Sequence, residues 1–340
     1  MTLPDLTIRS YRPGDEERIV DTFNLVFREV CGLGYVDRTL AQWRWQYLQN
    51  PWGHRMSLAV APDGTIVSQY AGVPVLADTP HGPQTFVHCV DSMTHPAWRS
   101  GLKRPGIFVI TGLPFSAHSR RIGDAVLYGF PVDAAFRIGS RYLEYHFLRV
   151  IDFLIRDVGS GVIDPPSGLQ LERVVTIPPD IGSLYDVVRS EKRLLLRRDY
   201  RYLDWRYVQN PARADYELWT ARQQGNGRLR GFLVLKPGSG LAPDAATIAD
   251  WLASEHDVAA MQALLHVATR RAAEEEKVRL MTVCPEWSAE WRGFAAAGFV
   301  KTPSANWLER RLVYLLTGSP LTEPVLQADW WYMLGDSDLA

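Results

Sequence analysis

The sequence predicts an α+β protein made of two tandem halves, and three observations support this prediction. The chain has 340 residues, which is more than one hydrophobic core usually serves. Segments with strand and helix periodicity alternate along it. The motif WQYLQNP at residues 45–51 recurs as WRYVQNP at residues 205–211 with five identical positions, and similar elements follow both copies in the same order.

Composition and charge limit the classes of function. Apolar residues make up 46% and charged residues 22% of the chain, as in an ordinary globular protein. The net charge of -1 argues against binding nucleic acid or an anionic membrane over the whole surface. The three cysteines are odd in number and lack CxxC spacing, so we expect neither a disulfide framework nor a metal site.

The N-terminal residues contain no basic stretch followed by an apolar one, which a secretory signal would need. No apolar run reaches the length of a transmembrane helix. We therefore expect a cytoplasmic protein without a membrane partner.

The first half reads as a regular series of elements. Residues 6–11 predict a strand, and the break at residues 13–15 precedes a helix whose apolar stripe recurs at helical spacing. A second helix is predicted over residues 39–47. A hairpin is predicted around the turn at residues 62–64. The Trp and Tyr of the repeated motif are interpreted as core anchors at a helix end.

Further elements complete this half. An apolar strand ends near Asp91, and a basic loop leads to a helix that starts near Ile107. Leu113 and Pro114 are expected to bend or end that helix. A strand at residues 125–131, a short helix at 134–139 and a closing strand at 141–147 follow.

The second half repeats this order, with its last strand predicted at residues 307–314. The predicted division is an N-terminal domain at 1–147, a linker with the first elements of the second half at 148–190, a C-terminal domain at 191–318 and a tail at 319–340. Aromatic residues in the tail suggest that it docks on the body of the protein. For its acidic end, a solvated terminus is the preferred interpretation, and insertion into a cleft is the alternative.

The stretch at residues 91–108 is the candidate site. A strand, a basic glycine-containing loop and a helix start together offer backbone N–H groups and a positive dipole end to a phosphate. A plain connection between strand and helix is the alternative interpretation. The second half has Glu255 and Asp257 at the corresponding place, and such carboxylates satisfy the N–H groups themselves and repel a phosphate.

In element order, each half resembles the GCN5-related N-acetyltransferase (GNAT) fold. The specific likeness lies in the first half, where THPAWR at residues 94–99 resembles the end of the signature strand of the family. KRPGIF at 103–108 resembles its phosphate loop, preceded by an insertion at 100–102. YGFP at 128–131 with FRIG at 136–139 resembles its second block. The resemblance implies two tandem GNAT-like domains, each a mixed, mostly antiparallel central sheet flanked by helices.

The resemblance also implies a cofactor site and a reaction. Acetyl-CoA would be the acyl donor, and its pyrophosphate would lie over the start of the helix near Ile107. The backbone of Met93 and Thr94 would pair with the pantetheine arm. The implied cofactor-binding residues are Met93, Thr94, Arg99, Lys103, Arg104, Gly106, Ile107 and Phe108.

Asp91 is the implied general base, acting directly or through a water, and a turn-facing or capping aspartate is the alternative. The family places a pantetheine-contacting Asn where this chain has Val132. It places a Tyr that acts as general acid where this chain has Ala135 or Phe136. Tyr128 is the predicted source of the hydroxyl, with Ser92 and Tyr142 as alternatives.

The function expected from the resemblance is transfer of an acetyl group to a primary amine of a small molecule or peptide. Under this hypothesis the second half is a structural or substrate-shaping partner. The alternative is a catalytically silent GNAT-like protein that binds an acyl-CoA or a partner protein.

Overall fold

The computed structural model describes residues 5–99, 105–238, 242–307 and 309–338. Their strands are β1 (Thr7–Ser10), β2 (Arg55–Val60), β3 (Ile66–Thr79), β4 (Gly82–Thr94), β5 (Val126–Gly129), β6 (His146–Val150), β7 (Phe153–Asp157), β8 (Leu169–Val174), β9 (Leu194–Leu196), β10 (Glu217–Gln223), β11 (Leu229–Lys236), β12 (Ala245–Ala253), β13 (Arg279–Thr282), β14 (Val300–Thr302), β15 (Arg311–Leu316) and β16 (Trp330–Trp331). Their α-helices are α1 (Glu16–Cys31), α2 (Leu40–Tyr47), α3 (Ile107–Ile122), α4 (Asp133–Tyr142), α5 (Ile181–Glu191), α6 (Tyr200–Leu203), α7 (Val258–Glu274), α8 (Ala289–Ala296) and α9 (Glu323–Asp329).

The described residues form two compact units. The first unit comprises those within 1–76, 84–148 and 311–322, and the second comprises those within 77–83, 149–310 and 323–340. Among the described residues, no helix combines the length and the apolar character needed to cross a membrane.

The sheet of the first unit has the order β1-β2-β3-β4-β5-β15-β6. The pairs β1–β2, β2–β3 and β5–β15 are antiparallel, whereas β4 and β5 run parallel. One face of the sheet carries a cluster of buried apolar side chains that also includes α3 residues Val109 and Phe115.

The sheet of the second unit has the order β8-β10-β11-β12-β13-β7-β14. Here β12 and β13 are the parallel pair, and the neighbouring pairs β11–β12 and β13–β7 are antiparallel. In the same unit, β9 pairs with β16 and with Ala77 and Asp78 at the end of β3. Two mixed, mostly antiparallel sheets with helices packed on them confirm the predicted α+β class.

The sixth strand of each sheet comes from a distant part of the chain. In the first unit, β15 from near the C-terminus pairs with β5, and in the second unit, β7 pairs with β13. The prediction that the last strand completes the second half is therefore wrong. Only Ile151 and Asp152 separate β6 from β7, and an apolar strand fits the equivalent place in either of two duplicated sheets, so the sequence pattern could not decide its partner.

Helices α1 and α2 form as the periodicity predicts. Ile19, Phe23 and Val26 of α1 are buried, and Thr39 caps α2 in a capping box with Gln42. The repeated motif lies at the end of α2 and in a π-helical turn (Asp204–Val208) that follows α6. Its Trp and Tyr residues are buried in both units, which confirms that they are core anchors.

Of the two outcomes expected at Pro114, a bend or an end of helix α3, the end does not occur. The helix runs without interruption from Ile107 to Ile122, with Pro114 inside it. Proline removes one backbone hydrogen bond, to the carbonyl of Ile110. Because Pro114 is exposed, water can hydrate that face of the helix, and the helix tolerates the proline.

Candidate functional site

Strands β4 and β5 of the first unit separate at the candidate site. They pair in parallel from Phe86 and Val126 to His88 and Tyr128. Gly129 then ends β5, and a Cβ atom there would lie 2.8 Å from the carbonyl oxygen of Cys89, so only glycine permits the close approach. Beyond this point β4 continues to Thr94. We call the edge of β4 at residues 89–94, beyond the end of β5, the first-unit wedge.

A backbone irregularity lies within this part of β4. Asp91 has φ 58°, a left-handed conformation that costs a non-glycine residue on the order of 1–2 kcal/mol. Its carbonyl oxygen accepts a hydrogen bond from Nε2 of Gln69 at 3.0 Å. We call this left-handed residue within β4 the bulge, because it interrupts the regular strand as a β-bulge does. It is held in place by the side chain described next.

The Asp91 carboxylate is the centre of a buried cluster. Its Oδ2 atom accepts hydrogen bonds from Nε2 of Gln46 at 2.9 Å and from the hydroxyl of Tyr47 at 2.7 Å, and it forms an ion pair with Arg38. The Asp91 side chain is 6% exposed. Burial opposes the charge on Arg38, but the attraction of Asp91 outweighs it and raises the pKa of the guanidinium. Burial also raises the pKa of Tyr47, so its hydroxyl stays protonated.

Three donors converge on Oδ2 and bind the carboxylate to α2 and to Arg38, two residues before that helix. The cluster therefore anchors the left-handed backbone at Asp91. The role of general base stays a prediction. Sequence reasoning noted Tyr47 as a core anchor and missed Arg38, although Arg38 and Arg198 precede the repeated Tyr by the same spacing.

Helix α3 begins near the end of β4. Gly106 is its N-cap residue and provides no side-chain hydrogen bond to the first turn. The backbone N–H groups of Ile107 and Phe108 belong to this first turn, where helical N–H groups have no partner within the helix. Lys103 and Arg104, which the sequence assigns to the same cradle, lie outside the described residues.

The other predicted cofactor residues lie at the end of β4. The carbonyl oxygen of Met93 accepts a hydrogen bond from Ser68 at 2.9 Å, and that of Thr94 accepts one from Nε of Arg99 at 2.8 Å. Arg99 also pairs with Glu29 at 3.1 Å. The Arg99 side chain therefore braces the end of the strand.

Tyr128 lies in the core of the first unit. It is buried on β5 and stacks on His88, with ring centroids 5.0 Å apart. Tyr145, by contrast, lies outside the strands, between α4 and β6. The sequence did not indicate it as a site residue. The Tyr145 hydroxyl is hydrogen-bonded to the hydroxyl of Tyr70, and its ring lies against Gly139, where a Cβ atom would come within 2.1 Å of it.

Tyr70 and Tyr145 adjoin Cys89, which follows the last paired residue of β4 and β5. Burial raises the pKa of Cys89 to about 12 and also raises the pKa of Tyr145. All three groups therefore stay protonated at neutral pH. Tyr70 and Tyr145 thus place a pair of hydroxyl groups beside Cys89.

The second unit contains the same kind of cluster around Asp250. The hydroxyl of Tyr207 donates to Oδ2 of Asp250 at 3.0 Å, and Nε of Arg198 donates to Oδ1 at 3.1 Å. Arg198 and Tyr207 are nine residues apart, as are Arg38 and Tyr47. Strand β12 also has an irregularity at this point, opposite Val234 and Leu235 of β11. The duplication thus extends to the polar cluster.

The C-terminal tail occupies the second unit beside this cluster. Arg198 donates to Oδ1 of Asp336 at 2.7 Å, the hydroxyl of Tyr202 donates to the carbonyl of Gly335 at 3.1 Å, and Arg206 donates to the carbonyl of Ser337 at 2.7 Å. A Cβ atom on Gly335 would lie 2.4 Å from the Tyr207 hydroxyl. The preferred prediction of a solvated acidic end is wrong for Asp336, because the ion pair with Arg198 and its hydrogen bonds make burial possible.

The start of α7 differs from that of α3. Its N-cap residue is Asp257, which accepts a hydrogen bond from the backbone of Ala260 at 2.9 Å and pairs with Arg230. Burial opposes the Asp257 charge, yet Arg230 and this N–H group hold its pKa below the usual value. The predicted capping of this helix by a carboxylate is confirmed.

A groove of about 1130 Å³ lies near this helix start in the second unit. Its lining includes Arg230 and Asp257, which form an ion pair, Asp180, which pairs with Arg222, and Arg228. Across the described ranges, no group of three His, Cys, Asp or Glu side chains could hold a metal ion.

Comparison with known proteins shows what the fold resembles. No family model matches this sequence, and no curated protein matches it either. Solved structures do match. A probable N-acyltransferase from Enterococcus faecalis has a TM-score of 0.68 at 11% identity, over 92% of this chain and 73% of its own. A GCN5-related N-acetyltransferase from Anabaena variabilis has a TM-score of 0.66 at 11% identity, over 92% and 73% of the two chains.

A tandem GNAT protein from the clavulanic acid biosynthesis pathway is similar over the full length of its own chain. It covers 93% of this chain and 100% of its own, with a TM-score of 0.58 at 16% identity. At such identities the likeness shows the fold alone. The chain has the fold of the GCN5-related N-acetyltransferases, present as two tandem units.

Proposed function

We propose that the first unit binds acetyl-CoA and transfers its acetyl group to a primary amine of a small molecule or peptide. The observation that carries this proposal is the first-unit wedge together with the uncapped start of α3 at Gly106. The second unit has a capped helix start and a tail beside its cluster. The three cysteines are free, which fits the proposed cytoplasmic location.

The pyrophosphate would bind the N–H groups of Ile107 and Phe108, where the helix dipole also favours an anion. Lys103 and Arg104 precede them in the sequence and would add charge and a further N–H group. Pro105 lacks an N–H group. The pantetheine arm would follow the backbone of Met93 and Thr94 along the wedge, with Arg99 bracing the end of β4.

The amine nitrogen would attack the thioester carbonyl, the C–S bond would break, and the surplus proton on nitrogen would leave to water. The departing thiolate needs a proton, and we assign Tyr145 as its donor through the hydroxyl pair with Tyr70. Asp91 is a positioning residue in this proposal, because its carboxylate fixes the bulge that shapes the wedge.

The second candidate function is acyl-CoA or partner binding without catalysis. The observation that favours it is at the start of α4, where Val132 is the N-cap residue and the family has a pantetheine-contacting Asn nearby. A hydrophobic side chain cannot make that hydrogen bond.

The test is release of free thiol from acetyl-CoA in the presence of a broad panel of amines. The proposal predicts thiol release that depends on one class of amine. Acetyl-CoA binding without thiol release for any amine supports the silent alternative. Absence of binding in calorimetry contradicts both.

A further inference from the structure

The second unit shows which chemical group its cluster accepts. Arg198 lies between two carboxylates, that of Asp250 from β12 and that of Asp336 from the tail. It is fully buried, and the attraction of Asp250 and Asp336 raises its pKa despite the opposing effect of burial. One arginine thus holds a strand carboxylate and a second carboxylate brought in by another segment.

The first unit has the same arginine and the same strand carboxylate. Arg38 corresponds to Arg198 by its spacing from the repeated tyrosine. Asp91 corresponds to Asp250 because each aspartate pairs with that arginine and accepts a hydrogen bond from that tyrosine. Asn24 fixes the Arg38 backbone through hydrogen bonds of 2.8 Å and 3.0 Å. The guanidinium also lies over the ring of Phe23, 4.1 Å from its centroid. The arginine is therefore held in a defined position.

The two units differ in the second carboxylate. Among the described residues of the first unit, Asp91 is the one carboxylate paired with Arg38. The Arg38 side chain is 21% exposed, whereas that of Arg198 is 0% exposed. A guanidinium has donors for more than one carboxylate, and Arg38 keeps part of its surface within reach of solvent.

We propose that the acceptor amine carries a carboxylate and that Arg38 binds it, as Arg198 binds Asp336. The inference rests on the proposed function and specifies its substrate class. Amino acids and short peptides belong to this class, whereas polyamines and aminoglycosides carry no carboxylate.

Thiol release from acetyl-CoA would be compared for matched acceptors: glycylglycine against glycylglycinamide, and lysine against cadaverine. Each pair differs in the carboxylate and keeps the amine. We expect kcat/KM to be at least about tenfold higher for the carboxylate member of a pair, the size expected for a charge-assisted hydrogen bond. This comparison uses the unaltered protein, so it does not depend on the folding of a variant.

The variant Arg38→Lys keeps the charge beside Asp91 and removes the planar fork of donors. We expect it to reduce the ratio of kcat/KM between the carboxylate member of each pair and the member that lacks the carboxylate, whatever its effect on overall turnover. Arg55→Lys is the matched control, because Arg55 makes a comparable partly buried pair with Asp124 at 2.8 Å in the same unit. The control variant is expected to keep the preference.

Equal kcat/KM for both members of each pair would overturn the inference and leave the proposed function intact. Equal loss of the preference in Arg38→Lys and Arg55→Lys would also overturn the assignment to Arg38. Thiol release from no acceptor at all would overturn the proposed function and this inference with it.

Discussion

Each unit has its own sheet, a helix that follows the fourth strand in the order given above, and an arginine–tyrosine–aspartate cluster. The two units differ in what contacts the start of that helix and the cluster. In the first unit, Gly106 leaves the start of α3 without a side-chain cap. In the second unit, Asp257 caps α7, and Gly335 and Asp336 of the tail pack beside the cluster. Under the proposed function, the first unit leaves these features to a ligand, whereas in the second unit the chain itself satisfies them.

The difference shows how a duplicated site can become structural. An aspartate at a helix start and an acidic tail beside an arginine replace interactions that a ligand would otherwise make. Retaining the cluster has a physical reason, since removing one partner of a buried ion pair leaves an uncompensated charge. The following predictions test this contrast, from the largest expected effect to the smallest.

Arg198→Met should strongly destabilise the protein, and Arg38→Met should do so less. The first change leaves two buried carboxylates without their partner, which costs about 3–5 kcal/mol. The second leaves one buried carboxylate, which keeps its hydrogen bonds from Gln46 and Tyr47, and should cost about 1–3 kcal/mol. Urea denaturation measures both, with the exposed Arg189→Met as control. Equal losses would contradict the contrast between the units.

Tyr145→Phe should lower kcat and leave the binding of acetyl-CoA unchanged. The change removes the proposed proton donor, and loss of general acid catalysis lowers rates by about 10²–10⁴-fold. Steady-state kinetics measures kcat, and calorimetry measures binding. Tyr128→Phe is the matched control on β5 and should keep most of the activity. A larger loss in Tyr128→Phe would return the role to the residue that the sequence predicted.

Tyr47→Phe and Tyr207→Phe form a matched pair. Each removes one hydrogen bond to a buried carboxylate and should cost about 1.5–3 kcal/mol of unfolding free energy. Only Tyr47→Phe should also reduce turnover, because Tyr47 helps to fix the bulge at Asp91. If Tyr207→Phe reduced turnover as much, the second unit would have a part in catalysis.

The smallest effect concerns pH. Burial raises the pKa of Asp336 above 3.8, the value of a free side chain, against the opposing effect of Arg198. Between these two pKa values the folded state holds a proton that the unfolded state has lost, so the unfolding free energy falls as pH rises. The slope is at most about 1.4 kcal/mol per pH unit.

Asp336→Asn removes this titration. The unfolding free energy of the unaltered protein minus that of Asp336→Asn should therefore decrease from pH 4 upward through the folded pKa. Denaturation curves at several pH values give this difference. A difference that increases with pH would contradict the burial of Asp336 as the dominant influence on its charge.

Much of the fold could be predicted from the sequence, because element order follows from local periodicity and the repeat exposes the duplication. The origin of the sixth strand in each sheet could not, since β7 and β15 are short apolar strands that suit either sheet. Proline usually interrupts a helix, yet α3 continues through Pro114, because that face of the helix is exposed to water. Local patterns report on neighbours along the chain and not on pairing across it.

The site was predicted unevenly for the same reason. The candidate location at residues 91–108 came from the order of strand, loop and helix and stays a prediction, whereas the cap at Asp257 is confirmed. The partners of Asp91 lie far away in sequence, at Arg38 and Tyr47, and the burial of Asp336 depends on Arg198. Such contacts between distant residues leave no periodic signal, although the equal spacing of Arg and Tyr in the two halves was present in the sequence.

The central claim is that one unit of the two binds acetyl-CoA. Isothermal calorimetry on the full chain tests it through the stoichiometry, with Gly106→Glu and Val258→Glu as a matched pair at the starts of α3 and α7. A side chain at Gly106 meets open space, and Val258 is exposed, so both glutamates should be accommodated. Gly106→Gln controls for size without charge.

We predict one acetyl-CoA per chain, at least about tenfold weaker binding in Gly106→Glu from repulsion of the pyrophosphate, and unchanged binding in Gly106→Gln and Val258→Glu. Two acetyl-CoA molecules per chain, or binding that is lost in Val258→Glu and kept in Gly106→Glu, would contradict the account.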